Sequence, residues 1–255
     1  MPKKLTEISK EIGITHQQCM RHLNRLVETL LIVKNHDGNY QLTSYGGIIL
    51  QLQPGFDFIT RHRDYFVTHA LSKLPQRFVY RIGELSNSTR LGDVMELISE
   101  NESIIKETEE YLWVIINKRT RSVRPYVARA IERGVKIRSI SVKSYVPSLD
   151  VKREIVEEDE LVVIRGEADG RVEVADIEDF PVYMYLSEKA MTIAFPQEDA
   201  SFDYTGFASR DPEALRFCKD LFTHYWNETN AIPRNEIVQR HKDYLNKHGI
   251  HPKYP

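Results

Sequence analysis

The sequence predicts two domains of different class, an α+β unit in the first 53 residues and an α/β unit after it. Three observations carry this. Residues 5–42 hold two short helical patterns and then a strand pair closed by a glycine turn. Residues 111–142 read as strand, helix, strand, which is the pattern of a parallel pair with a crossover. Further apolar runs follow to residue 195, and a long amphipathic helix closes the series.

In the first unit, Leu5, Ile8 and Ile12 recur at helical spacing, and Gly13 is a natural helix stop. Thr15 is placed to cap the next helix. That helix sets Cys19, Leu23, Leu26 and Leu30 on one apolar stripe. Two helices joined by a short glycine turn match a helix-turn-helix. Residues 30–46 (LLIVKNHDGNYQLTSYG) then read as strand, tight turn, strand, helix, with Asp37-Gly38 as the turn. Helix, turn, helix and hairpin in that order make a winged helix, with Lys34, His36 and Asn39 on or near the wing. A winged helix normally opens with one more helix under the other two. Only Met1 to Lys4 precede Leu5, so that first helix is expected to be missing here, or the chain to start inside a longer gene.

The polar face of the second helix carries the candidate chemistry. His16, Gln17, Gln18, Arg21 and Asn24 point away from the apolar stripe, with Met20 beside them. Gln and Asn can pair with adenine and Arg with guanine in a major groove. They cluster in the half of the helix that meets DNA in such motifs. Lys3, Lys4, Arg25, Lys34 and His36 are the candidates for phosphate contacts. The bland alternative is a solvated helix face.

Charge is compatible with this and does not compel it. The chain has a formal net charge of -2. Residues 1–53 hold six Lys/Arg against four acids, hence +2, which leaves -4 for the rest. The sign is the one a local DNA-binding face needs.

Pro54-Gly55 marks the expected end of the first unit. Residues 56–75 then read as one helix with Phe58, Ile59, Phe66 and Ala70 among its apolar positions, stopped by Pro75, and QRFVYRIGEL as a short helix or turn. Residues 54–109 are read as a helical linker and dimerisation region, 110–229 as an α/β effector domain, and 230–255 as a polar tail. Within the effector domain, YLWVIIN (111–117) is a buried strand, with Trp113 as core. SVRPYVARAIERGV is a helix, capped by Ser122 and closed by Gly134, and KIRSISV (136–142) is the next strand. ELVVIR, RVEVA, VYMYL and AMTIAF are four more predicted strands, the last two joined as a hairpin at Ser187-Glu188-Lys189. Asp211 caps a final helix with Pro212 in its first position and Leu215, Cys218, Phe222 and Tyr225 as its buried stripe.

Two resemblances follow from these stretches. CMRHLNRL and YQLTSYG resemble the recognition helix and wing of archaeal and bacterial winged-helix regulators of the ArsR/MarR type. THALSKLPQRFVYRIGEL, RAIERGVKIR, VYMYLSEKAMTIAFP and LFTHYWNET look like the C-terminal domain of archaeal regulators found in methanogens and ammonia oxidisers. That domain is similar to the effector domain of TrmB-type sugar-responsive regulators and to the phospholipase D fold. The likeness spans Phe56 to Thr229 and lies in pattern and order. It implies a ligand- or signal-sensing α/β domain and a homodimer on double-stranded operator DNA. Tyr183, Tyr185 and Tyr204 are candidates to line a ligand pocket, though a structural role is the bland reading of each.

Catalysis is not expected. A phospholipase D site needs His-x-Lys-x-x-x-x-Asp, and the single His-x-Lys, His251 to Lys253, has no room for the aspartate. No phosphate-binding glycine loop, nucleophile elbow or His-Glu-x-x-His is present. His241, His248 and His251 have no acid or thiol at ligand spacing, and Glu157 to Glu160 read as a solvated turn, so neither a metal nor a cofactor is expected. Cys19 and Cys218 sit on apolar helix positions as small core residues. With 41% hydrophobic and 28% charged residues, a real core is affordable, and no apolar run approaches the ~18 residues of a membrane span. No leader pattern is evident, so a cytoplasmic protein is expected. The rival function is a protein-interaction adaptor whose winged helix docks on transcription machinery.

Overall fold

A computed structural model describes residues 2–117, 121–142, 158–233, 235–237 and 239. The chain divides into two compact units, residues 1–61 and 62–255.

The first unit runs β1 (Lys3–Lys4), α1 (Leu5–Glu11), α2 (His16–Glu28), β2 (Ile32–Lys34), β3 (Asn39–Leu42) and α3 (Ser44–Arg61). Its three strands form an antiparallel sheet in the order β1-β3-β2. β1 lay outside the sequence reading, because a two-residue strand carries no periodicity. Gly13 and Gly38 take the left-handed backbone that the stop and the turn require, at φ +69° and +81°. The core is small: Cys19, Leu23 and Tyr40 are buried, with Leu5, Ile8, Ile14, Val27 and Ile32 packed around them. Three expected core positions are not in it. Leu26, within α2, is 38% exposed, Ile12 lies just past α1 and is exposed, and Leu30 lies past α2 at φ +60° and is also exposed. At Ile12 and Leu30 the helical stripe fails because both helices have already ended.

α3 does not stop at Pro54-Gly55 but continues to Arg61. A proline inside a helix forfeits one backbone bond and costs ~3 kcal/mol, which disfavours the helix without forbidding it. The real break comes at His62, whose φ and ψ of -110° and 30° are not helical, and only the short α4 (Arg63–Phe66) follows. The single helix expected over residues 56–75 is therefore two.

The second unit continues with α5 (Gln76–Val79), a 3-10 turn (Ile82–Leu85), β4 (Thr89–Leu91), α6 (Val94–Glu107), β5 (Tyr111–Ile116), α7 (Arg124–Glu132), β6 (Lys136–Val142), α8 (Glu158–Asp169), β7 (Val172–Ile177), β8 (Tyr183–Ser187), β9 (Met191–Ala194), β10 (Gly206–Ser209), α9 (Pro212–Glu228) and β11 (Asn230–Ala231). One sheet takes the order β11-β7-β6-β5-β8-β9-β10-β4. β5 and β6 run parallel, as the strand-helix-strand pattern predicts; β7 is also parallel to β6, and the remaining pairs are antiparallel. The hairpin between β8 and β9 is also as expected.

Several expectations are corrected here. ELVVIR is not a strand but the middle of α8. β6 and β7 are parallel neighbours, and a parallel pair needs a crossover, so this β-branched run is helical despite its propensity. Val162 and Val163 turn onto the core from it. Glu158 and Asp159 start that helix and are not a turn before a strand. Residues 62–109 are not a separate linker, because β4 forms one edge of the sheet against β10, and α6 packs on its face. Ser122 does not cap α7. It lies in a 3-10 turn, and the residue before α7 is Val123. Asn230 and Ala231 belong to the opposite edge, paired with β7, and most of the expected tail lies outside the described residues.

The register sorts the sheet into two faces. Val114 pairs with Ser139 on β6 and Tyr185 on β8, so these share the face that packs on α6 and α7 with Leu97, Ile104, Ile105 and Ile131. Trp113 lies on the other face, half-buried and stacked on Phe222 of α9 at 4.9 Å. α9 buries Ala214, Phe217, Cys218, Leu221, Phe222 and Tyr225, while Leu215 is only half-buried. Asp211 caps it by accepting from the Glu213 amide at 2.9 Å.

Candidate nucleic-acid interface

The candidate site is α2 and the hairpin that follows it. Thr15 takes extended backbone angles and accepts from the Gln18 amide at 3.2 Å through its hydroxyl. Gln18 Oε1 in turn accepts from the Thr15 amide at 3.1 Å and from the Thr15 hydroxyl at 3.0 Å. This reciprocal cap satisfies amides that a helix end leaves open. Cys19 and Leu23 are the buried side of α2, so its rotation about its own axis is set by their packing on Tyr40.

That rotation leaves the opposite side to solvent. His16, Gln17, Gln18, Arg21, Asn24 and Arg25 are all exposed. Gln17, Arg21 and Asn24 stand at i, i+4 and i+7, which places them on one stripe. Arg25 and Gln18 flank that stripe on one side and His16 on the other. Met20, next to Gln17 around the helix, is 49% exposed. The Gln18 carbonyl oxygen is already engaged in the cap, so only its amide nitrogen is left as a donor for a base. The capping pattern Thr-x-x-Gln was present in the sequence to announce this.

The hairpin is pinned by one side chain. Asn35 Oδ1 accepts from the amides of Asp37 at 3.1 Å and Asn39 at 2.8 Å, and the Gly38 amide donates to the Asn35 carbonyl at 3.0 Å. His36 and Asp37 are thereby held exposed at the tip, and Lys34 is exposed at the base. The Lys34 amine lies 5.5 Å over the Tyr40 ring, a cation–π contact that folds its stem across the sheet. Of the other candidate phosphate contacts, Lys3 is ion-paired with Glu11, and Lys4 is exposed. The first pairing spans α1, so spacing gave no sign of it.

In the second unit the three candidate tyrosines do come together. Tyr183 is 5.7 Å from Tyr185 and 5.4 Å from Tyr204, centroid to centroid. Their polar atoms are met from within the protein. Asn101 Nδ2 donates to the Tyr183 hydroxyl at 3.3 Å, and the Tyr204 hydroxyl donates to Asn117 at 3.0 Å. Thr192 donates to Asn101 Oδ1 at 2.6 Å. Burial pushes the Tyr183 and Tyr204 hydroxyls up from the ordinary tyrosine range, so both stay protonated. Asn101 itself escaped the sequence reading, since a polar residue within α6 carries no periodic signal.

Cys19 and Cys218 are free and buried, and burial pushes the Cys218 thiol up. Among the described residues no group of three His, Cys, Asp or Glu side chains could hold a metal, and no helix is long and apolar enough to cross a membrane. His241, His248, His251 and Lys253 lie outside the described residues, as does Glu157.

No protein-family model matches the chain, and no curated protein matches it. Among solved structures, it is similar to TrmBL2, described as an archaeal chromatin protein with a novel mode of DNA binding. That match has a TM-score of 0.46 and 13% identity, over 91% of this chain and 88% of that one. It is also similar to Nuc of Salmonella typhimurium, a phospholipase D family member, at a TM-score of 0.37 and 10% identity over 53% of this chain and 90% of that one. A third likeness is NucT from Helicobacter pylori, at a TM-score of 0.41 and 12% identity over 57% of this chain and 98% of that one. Likenesses this distant carry no argument about what the chain does.

Proposed function

We propose that the chain is a DNA-binding transcriptional regulator. Its first unit acts as a winged helix, with α2 in the major groove and the hairpin as the wing. The single observation behind this is the exposed stripe of Gln17, Arg21 and Asn24 on a capped helix, beside a hairpin that holds Lys34 and His36 in solvent. These side chains have the donor and acceptor sets that base edges and phosphates accept. The protein acts as a homodimer on a two-fold operator, since paired half-sites give one short helix enough contact for specificity. The second unit carries no catalytic role in this reading. It senses a ligand or partner, and the tyrosines around Asn101 belong to the core that such sensing would act through.

One observation favours the adaptor reading: Met20, Ile12 and Leu30 are apolar and exposed around the same helices, as a protein-docking surface would have them.

The experiment is binding of the full chain to its own promoter across a salt series, beside a scrambled duplex of equal length. A regulator binds the promoter more tightly, and binding weakens steeply with salt. Equal and weak binding to both duplexes rejects the regulator and puts the adaptor first.

A further inference from the structure

Both ring nitrogens of His69 face acceptors. His69 follows α4 and is only 5% exposed. Its Nδ1 lies 2.9 Å from the Tyr65 carbonyl oxygen, and its Nε2 lies 3.2 Å from Oδ1 of Asp203, in the segment between β9 and β10. A carbonyl oxygen only accepts, so Nδ1 carries a hydrogen there. Asp203 is ionised and only accepts as well. Burial pushes its carboxyl up, but the Thr205 amide and hydroxyl, each donating to it at 2.9 Å, and His69 outweigh this and hold it below the usual carboxylate range. Nε2 therefore needs a hydrogen too. A neutral imidazole has one N–H, so only the imidazolium completes both bonds. The Thr68 hydroxyl, 3.0 Å from Nδ1, offers no alternative, since its one hydrogen goes to the same Tyr65 carbonyl at 3.1 Å.

The surroundings suit a cation. The Tyr65 ring stacks on the imidazole at 3.7 Å and 11° from parallel, and so presents its negative face to it. Arg90 of β4 lies 4.2 Å over the same ring, and with one face taken by His69 it holds the other. Burial pushes the Tyr65 hydroxyl up, so it stays neutral, and it accepts from the Phe195 amide at 2.8 Å. Among the described residues, the ionisable groups that meet His69 are Asp203, Tyr65 and, across the Tyr65 ring, Arg90. Asp199 is turned to the Ser201 amide instead. What His69 holds is residues 196–205. The Ala70 amide donates to the Pro196 carbonyl at 2.8 Å and the Glu198 amide to the Thr68 carbonyl at 3.2 Å, while His69 ties the far end at Asp203. Ala200 and Tyr204 in this segment take left-handed backbone at φ +66° and +59°, which disfavours it unless such contacts hold it.

We propose that a proton on His69 latches the segment between β9 and β10 to the turn after α4, and that loss of this proton opens the segment. On deprotonation one of the two bonds fails, and a nitrogen lone pair is left facing an oxygen. Closure is therefore complete while the ring is charged and is lost as pH rises through its titration. At the other end, acid removes the partner only when it protonates Asp203, below the usual carboxylate range. Opening frees Tyr204, whose hydroxyl donates to Asn117 at 3.0 Å, so the proton acts on the cluster of Tyr183, Tyr185 and Tyr204. The latch rests on the geometry of the second unit and not on the DNA reading.

The test is heteronuclear NMR of the full chain with isotope-labelled histidine, across a pH series. Nitrogen–proton correlations within the ring tell the imidazolium from either neutral tautomer, and His69→Gln assigns the signal. His69 shows both nitrogens protonated while the amides of Gln197, Glu198 and Thr205 are protected from exchange. As the ring loses its proton, their protection falls by about tenfold or more, the loss of one charged hydrogen bond, with the amides of β6 as an unmoved reference. In Asp203→Asn the side-chain amide donates to Nε2, so a neutral ring completes both bonds and protection no longer follows the ring. Asp203 is at the surface, which leaves the fold intact in this variant. A ring with a single N–H at every pH where the chain is folded would overturn the latch. So would a ring that titrates while protection stays constant, or an Asp203→Asn variant that keeps the wild-type pH dependence.

Discussion

Thr15 and Gln18 hold each other across the first turn of α2, the hydroxyl of one accepting the amide of the other at 3.2 Å and the side-chain oxygen returning to the Thr15 amide at 3.1 Å. The candidate recognition helix therefore begins at a fixed residue, and the Gln17, Arg21 and Asn24 stripe begins with it.

Removing that cap should loosen the whole first unit. Thr15→Ala is expected to cost ~1 kcal/mol of its stability. Amide exchange across α2 reads this. Protection unchanged from His16 to Met20 would show that the cap contributes nothing.

Base and phosphate contacts should separate by mutation. Arg21→Ala is expected to lose ~1–3 kcal/mol of promoter affinity and to relax preference at one base position, while Lys34→Ala weakens all duplexes about equally and lowers the salt slope by about one. Titrations against a set of single-base variants of the promoter measure both effects. If both substitutions leave affinity untouched, the docking of α2 is wrong.

Two adjacent glycines in α3 should respond oppositely. A Cβ at Gly46 would stand 1.9 Å from the Leu31 carbonyl oxygen, whereas one at Gly47 would meet nothing within 4 Å. Gly46→Ala is expected to destabilise by at least ~1–3 kcal/mol as the backbone gives way. Gly47→Ala is expected to stabilise by ~0.5–1 kcal/mol, since alanine loses less freedom in a helix. Urea midpoints of the two variants give the comparison, and like signs would contradict the close approach of α3 to Leu31.

Acid should weaken the second unit through Glu188. Burial pushes its carboxyl up, but the amides of Glu109 and Tyr111 and the hydroxyl of Thr108 outweigh this and hold it below the usual carboxylate range. The Glu109 amide donates to it at 2.8 Å and Thr108 at 3.1 Å. A carboxyl depressed in the folded state contributes stability above its unfolded pKa, and that contribution is lost as pH falls through the folded value. Glu188→Gln is therefore expected to cost ~1–2 kcal/mol near neutrality and little in acid. Denaturation at both pH values tests this, and an equal loss at both would assign Glu188 a packing role only.

What the sequence determined by itself was local. Thr15, Asp211, Gly13, Gly38 and Gly134 mark ends and turns, because caps and left-handed backbone act within a few residues. The 3.6-residue period identified α2 and α9, and with α2 the exposed stripe of the candidate interface, while a continuous apolar run identified β5 and the strand-helix-strand order identified β6. Tertiary structure decided the rest. Only a crossover between parallel β6 and β7 makes ELVVIR helical. β4 and β10 are strands because Leu91 meets Gly206 across more than a hundred residues. Lys3 is drawn to Glu11, and Asn101 to Tyr183, by folding that their spacing does not encode. Propensity is summed over neighbours in the chain, whereas strand pairing, burial and ion pairs are settled by partners that only the fold brings near.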